Sequence, residues 1–371
     1  MKQIMKFVKK EIMLCISFLL ALISMAFVPI DYKYIEYIDF HTLIILFSLM
    51  IIMAGLRKLE VFAMIGRWML NKTRSVRSIA MVLVLLCFGF SMVITNDVAL
   101  ITFVPFTIEV LMMAGLEKYL IRIVVLQTIA SNLGSMLTPI GNPQNLYLFS
   151  ISNINLGSFI TLMLPYTLFS LIGLVLACIL LIGKDSPIID VPDSRITITD
   201  KKKTLVYLFL FLFALTSVAH IVPGYIVLMA ILVVVLVIDF RILRKADYSL
   251  LLTFIFLFIF IGNIKRIPEI STWLYSIIQG NELLTSILAS QFISNVPAAI
   301  LLSGFTDNIR ALIVGTNLGG LGTIIASMAS LISFKYYGAT KENKKAAYLG
   351  VFTVLNLIFL ALLLLLYYLI T

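Results

Sequence analysis

Four short polar runs interrupt an otherwise apolar sequence: Thr95-Asn96-Asp97, Ser131-Asn132 continuing to Asn145, Ser294-Asn295 followed by Pro297, and Thr316-Asn317 continuing to Thr323. Their side chains are mainly hydroxyls and amides, which both donate and accept hydrogen bonds, with one carboxylate among them. A run that breaks a helix leaves free N–H groups at a positive dipole end and free carbonyls at a negative one. The first can hold an anion and the second a cation. Glycines in the two longer runs let backbone approach a ligand closely. The expected binding residues are Thr95, Asn96, Asp97, Ser131, Asn132, Gly134, Thr138, Gly141, Asn142, Ser294, Asn295, Thr316, Asn317, Gly319 and Thr323. Such residues also cap helix ends or bond to a neighbouring helix. Four breaks in one chain favour the binding reading.

Asp97 is the one ionisable group in these runs. A charged side chain within a bilayer costs at least ~2.5–3.5 kcal/mol on insertion scales, which makes it a functional suspect. It can bind a proton or cation, or cap a helix over 98–113 through that helix's free amides. Glu109 reads as an interfacial charge, His41 and His220 as boundary residues, and Pro105, Pro139, Pro143 and Pro297 as makers of kinks and turns.

The elements that must position these groups follow from composition. Of 371 residues, 61% are hydrophobic and 12% charged, with a mean hydropathy of +1.11. A soluble domain carries about 25% charged residues, so lipid must solvate most of this chain. Apolar runs at 12–30, 41–56, 120–150, 158–183, 204–221, 223–240, 249–263, 310–334 and 346–370 give about nine crossings. Two segments broken at their centres, 79–113 and 283–305, read as re-entrant hairpins; 120–150 and 310–334 read as unwound helices. The start, with Lys2, Lys6, Lys9 and Lys10 before an apolar run and Ser24-Met25-Ala26 after it, resembles a signal peptide but is expected to be a retained helix.

The net charge of +10 does not point to nucleic acid, because no basic stripe alternates with stacking aromatics. Segments 1–11, 57–78, 117–122, 184–203, 241–247 and 335–345 hold 24 of the 28 lysines and arginines. All six fall on one side if the broken segments return to the face they left, which places the N-terminus in the cytoplasm and the C-terminus outside. Segments 57–72 and 264–280 look amphipathic, with Trp68 and Trp273 as interfacial anchors.

The sequence also repeats itself. Residues 52–70 resemble 259–277, ITND (94–97) matches ISNV (293–296), and SNLGSMLTPIG (131–141) matches TNLGGLGTIIA (316–326). The expected division is 1–183 as a first repeat, 184–222 as a loop and linker helix, and 223–371 as a second, inverted repeat. Asp97 pairs with Val296 and so breaks the symmetry. Inverted repeats with broken helices at the midplane are the recurring plan of secondary transporters. The fold class is therefore an all-α polytopic membrane protein.

Enzyme signatures are missing: there is no GxxxxGK[ST] loop, HExxH or Gly-x-Ser-x-Gly. Cys15, Cys87 and Cys178 are far apart, without metal-ligand spacing. No cofactor is expected.

TNDVALITFVPF (95–106), ASNLGSMLTPIGNPQNLYLF (130–149), SNVPAAILL (294–302) and GTNLGGLGTIIAS (315–327) resemble the ion transporter superfamily. That group includes citrate-transporter-like and arsenite permeases, D-type sodium/proton antiporters and divalent anion/sodium symporters. The resemblance implies elevator-like movement of a substrate domain. It places Asn96 and Asn295 at the centre of Ser-Asn-Thr-like tip motifs, with Na⁺ near Asn96, Asn132, Asn295 and Asn317. The third tip position departs, being Asp97 and Val296 rather than Thr. An Asn-Asp tip is more like the arsenite and sodium/proton branches. Related carriers are often dimers, so a homodimer is allowed. The expected function is transport of a small anion such as a carboxylate or oxyanion across the plasma membrane, coupled to H⁺ or Na⁺. The alternatives are arsenite export or Na⁺/H⁺ exchange using Asp97, and then a passive channel.

Overall fold

The computed structural model describes residues 11–70, 73, 75–183, 200–340 and 344–370, and among them eighteen α-helices run with no strand. The basic runs expected at 1–11, 57–78, 184–203 and 335–345 lie partly outside the described residues. The chain is an all-α polytopic membrane protein. Seven stretches are long and apolar enough to cross a bilayer: Phe40–Lys58, Val76–Ile94, Asn96–Met113, Leu156–Leu181, Gly224–Lys245, Tyr248–Lys265 and Lys345–Ile370.

The chain begins with α1 (Ile12–Met25), a turn, and the short α2 (Lys33–Glu36). At 14 residues α1 is about 21 Å long, shorter than the crossing expected over 12–30. It packs along α12 (Tyr248–Lys265), where Asn263 donates to Ser24 Oγ at 3.0 Å. Beyond it, α3 (Phe40–Lys58) starts at Asp39, whose carboxylate accepts from Thr42 N. It packs against α10 (Lys201–Val218) and α11 (Gly224–Asp239). The amphipathic helices are α4 (Val61–Leu70) and α13 (Pro268–Ile278), which leave Trp68 and Trp273 exposed.

The first hairpin is α5 (Val76–Ile94) and α6 (Asn96–Met113), joined at Thr95. Ser75 and Ser78 form a reciprocal capping box at the start of α5. The first broken helix is α7 (Leu120–Ser135), an irregular stretch with a 3₁₀ turn at Pro139–Gly141, and α8 (Pro143–Ile151). Pro143 ends the irregular stretch, because at the first helical position its missing N–H costs nothing. Then follows α9 (Leu156–Leu181). Arg77, at the start of α5, and Arg122, at the start of α7, donate to the carbonyls of Ile182 and Leu181. The hairpin therefore leaves and re-enters at one end of the bundle, the end where α9 finishes.

In the second half, α14 (Glu282–Ile293) and α15 (Asn295–Leu302) form a hairpin joined at Ser294. The second broken helix is α16 (Ile309–Leu318), an irregular stretch, and α17 (Met328–Gly338), followed by α18 (Lys345–Ile370). The two halves interlock. The later piece of the first broken helix, α8, packs on α15 of the second hairpin, and α17 packs on α6 of the first.

Candidate substrate site at the two helix breaks

Each hairpin tip is a single strained residue. Thr95 has φ 74° and ψ 148°, and Ser294 has φ 69° and ψ 155°. Side-chain-bearing residues avoid this region, at a cost of ~1–3 kcal/mol. The same conformation at both tips turns the chain from one arm straight into the first turn of the next helix. Neither tip residue makes a side-chain cap.

Both tips dock onto the breaks. Asn96 donates to Asn132 Oδ1 at 3.1 Å, and Ser131 Oγ donates to Asn96 O at 2.9 Å. Asn132 donates onward to Gly320 O at 3.3 Å, and its Oδ1 also accepts from Ser327 Oγ at 3.0 Å. At the second tip, Asn295 N donates to Ala326 O at 3.0 Å. Asn317 donates to Asn145 Oδ1 at 2.6 Å, which ties the two broken helices together. Asn132 thus touches the first tip and both sides of the second break, although Gly320 and Ser327 lie 188 and 195 residues further along the chain.

The glycines play a different part from the one their spacing suggests. A Cβ on Gly134 would collide with Phe88 O and lie 2.6 Å from Ser91 Oγ; one on Gly319 would lie 2.6 Å from Ser290 Oγ. Ser91 and Ser290 each stand four residues before their tip, so the same close approach of arm to broken helix occurs in both halves. Gly141 is closed off by the backbone of Ser135. These positions are filled by protein, which holds the breaks in place instead of leaving space for a ligand. Thr138 and Thr323 are likewise engaged, Thr138 Oγ1 with Met92 O and Thr323 with Gln291. Asn142 reaches Ser135 Oγ, and Thr316 bonds back to Leu312 O at 2.7 Å. Thr323 is exposed, at the rim of the cluster.

Asp97 is not a cap. Its helix begins at Asn96, two positions earlier than the expected start at 98, and Asn96 Oδ1 accepts from Asp97 N at 2.9 Å. The carboxylate oxygen Oδ1 of Asp97 is buried with no hydrogen-bond partner. The capping alternative is thereby corrected: Thr95 holds the cap position, and that oxygen of Asp97 has no protein donor.

Gln291 was not among the expected residues. Its Nε2 donates to Gly319 O at 3.0 Å and Leu321 O at 2.9 Å, while Oε1 accepts from Thr323 N at 2.8 Å. It fastens α14 to the second break. Gly322 faces it with φ +110°, and its missing Cβ leaves room for the amide. In sequence it is one of several polar residues in its arm, with Thr285, Ser286 and Ser290; the only signal was its place three residues before the tip.

His41 and His220 stack at 5.4 Å, and His220 also stacks on Phe149 at 5.6 Å. They lie at the start of α3 and just past the end of α10.

Broken helices, strained tips and polar side chains meeting inside a bundle of apolar helices define a membrane carrier. The family model described as "Citrate transporter" matches residues 4–311, and the chain belongs to that family. The chain is 36% identical over 301 residues to an uncharacterized transporter of Methanocaldococcus jannaschii, covering 80% of this chain and 81% of the relative. It is 31% identical over 309 residues to inner membrane protein YbiR of Escherichia coli, covering 80% of each. A shorter match, 28% over 146 residues, covers 39% of this chain and 25% of the putative transporter arsB of Dictyostelium discoideum. The protein is a transporter of the citrate transporter family.

Proposed function

We propose that the chain is a secondary transporter carrying a small anion, such as a carboxylate or oxyanion, across the plasma membrane with H⁺ or Na⁺ as the coupling ion. The observation that supports this most is the crossing at Asn132, where one side chain bonds the first tip and the second break. Asn132 lies twelve residues after Leu120, about 18 Å along its helix, and Asn317 eight residues after Ile309, about 12 Å. Counted from opposite faces, the two distances together match the ~30 Å hydrocarbon thickness, which supports a meeting of the breaks within the membrane. Exposed backbone at that depth needs a polar cavity or a passenger.

In this reading residues 1–183 and 223–371 are inverted repeats, and 184–222 is the linker that inverts them. The N-terminus is cytoplasmic and the C-terminus external. Thr95, Asn96, Ser131, Asn132, Ser294, Asn295, Thr316 and Asn317 surround the passenger, and Na⁺ would be held by carbonyls and amides near the four asparagines. A homodimer is the assembly the resemblance allows.

Purified protein in liposomes tests the proposal against citrate, succinate, sulfate and arsenite, under imposed H⁺ or Na⁺ gradients. Gradient-driven uptake of one of the anions is expected. Currents far above carrier turnover would instead indicate a channel.

The unpaired oxygen of Asp97 favours a second reading, in which this carboxylate handles the ion itself in an arsenite exporter or Na⁺/H⁺ antiporter. Sodium efflux driven by a proton gradient with no anion present would select it. Asp97→Asn should change the pH or Na⁺ dependence of transport more than substrate affinity.

A further inference from the structure

Gln144 is fully buried, and neither its Oε1 nor its Nε2 has a hydrogen-bond partner. Among the described residues it is the one side chain with both polar atoms in that condition. Burying an amide without a partner is costly, so an unpaired amide marks a place where something else binds. Gln144 is the second residue of α8, directly after Pro143. Helix geometry leaves the Gln144 and Asn145 N–H groups without intrahelical acceptors, and Asn142 gives them no side-chain cap.

A second unpaired group lies at the same helix start. Asn317 is held there by its bond to Asn145, and its Oδ1 is buried without a donor. The helix start therefore offers donors, in the amides and Gln144 Nε2, beside two open acceptors, Gln144 Oε1 and Asn317 Oδ1. A bare oxyanion would satisfy the donors and leave both acceptors unmatched. No lysine, arginine or histidine occurs in 131–145, 291–297 or 315–327 to balance a multiple negative charge.

We propose that the first turn of α8, with Gln144 and Asn317, is a subsite for one end of a small oxyacid that still carries at least one O–H. The bare oxygen takes the amide donors, and the hydroxyl donates to Gln144 Oε1 or Asn317 Oδ1. This rests on the transporter reading above and specifies the protonation state of its passenger. A site built around a substrate hydroxyl discriminates strongly against species that lack it, because its own polar groups are then left unpaired.

The test uses full-length wild type, Gln144→Leu and the isosteric Gln144→Glu, with succinate, citrate, phosphate and arsenite as probes in liposomes, and thermal unfolding of each purified protein. Leucine removes the unpaired amide at similar volume, so Gln144→Leu should unfold at the wild-type temperature or above it. Its KM for the probe that wild type carries should rise at least about tenfold. Gln144→Glu should raise KM more at neutral than at acid pH, because the added carboxylate repels a charged passenger only when ionised. A Gln144→Leu variant with wild-type KM overturns the subsite alone, and so does one that unfolds at a lower temperature, which would reveal a partner within the protein. Wild-type liposomes that carry sulfate but none of the four probes overturn the subsite alone, and transport of none of the five overturns the small-anion reading and the subsite together.

Discussion

Asn96 donates through Nδ2 to Oδ1 of Asn132 at 3.1 Å, fastening the tip of the first hairpin to the last turn of the first broken helix. Because Asn132 also reaches Gly320 O, a movement of either break is passed to the hairpin. Asn96→Ala and Asn295→Ala should each abolish transport while leaving folded protein. Asn132→Ala should also lower stability by about 1–3 kcal/mol, since it strands several buried groups. Near-normal uptake by both tip variants, with folded protein confirmed by size-exclusion chromatography, would remove the tips from the site.

At Gly134 α7 packs tightly on α5, with no room for a methyl group beside Phe88 O. Gly134→Ala should destabilise by about 1–3 kcal/mol, the usual cost of overpacking. Gly350 has nothing within 4 Å of its would-be Cβ, so Gly350→Ala is the neutral control. Unfolding temperatures of the two variants decide the matter: equal values would mean that the arm and the broken helix do not pack this closely.

The helix breaks were legible in the sequence because hydroxyl and amide runs in a lipid-solvated chain must find polar partners inside the protein. Thr95 and Ser294 could be located as turning points, since each precedes an asparagine at the centre of an apolar segment. What holds the breaks was not legible. Gln291, Asn132 and Asn145 bond to groups far away in sequence, several of them backbone carbonyls, which sequence does not display. The glycines were visible, but only the fold shows that Ser91 and Ser290 occupy the space beside two of them. The start of α6 at Asn96 instead of 98 depends on the unusual φ of Thr95, which no propensity anticipates for a β-branched residue.

Gln291 secures three backbone groups of the second break at once. Gln291→Leu should leave two carbonyls and the Thr323 amide unpaired, costing about 1–3 kcal/mol. Hydrogen exchange is the direct readout: the Thr323 amide should exchange faster in the variant, with the amides of α9 unchanged. Equal protection at Thr323 would show that the clamp is not closed.

Asp31 and Arg266 join the loop after α1 to the end of α12 at 2.9 Å, and Arg266 also donates to Tyr37 OH. The Arg266 hydrogen bond holds the Asp31 carboxyl below its ordinary value of 3.8. A depressed folded pKa gives stability that is present above the unfolded value and is lost as pH falls through the folded one. Wild type should therefore lose unfolding temperature on acidification below the usual carboxylate range. Asp31→Asn should start lower at neutral pH and show a shallower acid slope; parallel curves would mean that the pair does not form.

Both tips should lie deep in the membrane, at a site a passenger can reach. Single cysteines at Thr95 and Ser294, in a background with Cys15, Cys87 and Cys178 replaced by alanine, can be titrated with thiol reagents in liposomes. Slow reaction with a small reagent is expected, with no reaction by a bulky membrane-impermeant one, and protection on adding the transported anion or its coupling ion. Rapid labelling of both positions by the bulky reagent, indifferent to any solute, would put the tips at the water surface and contradict the account.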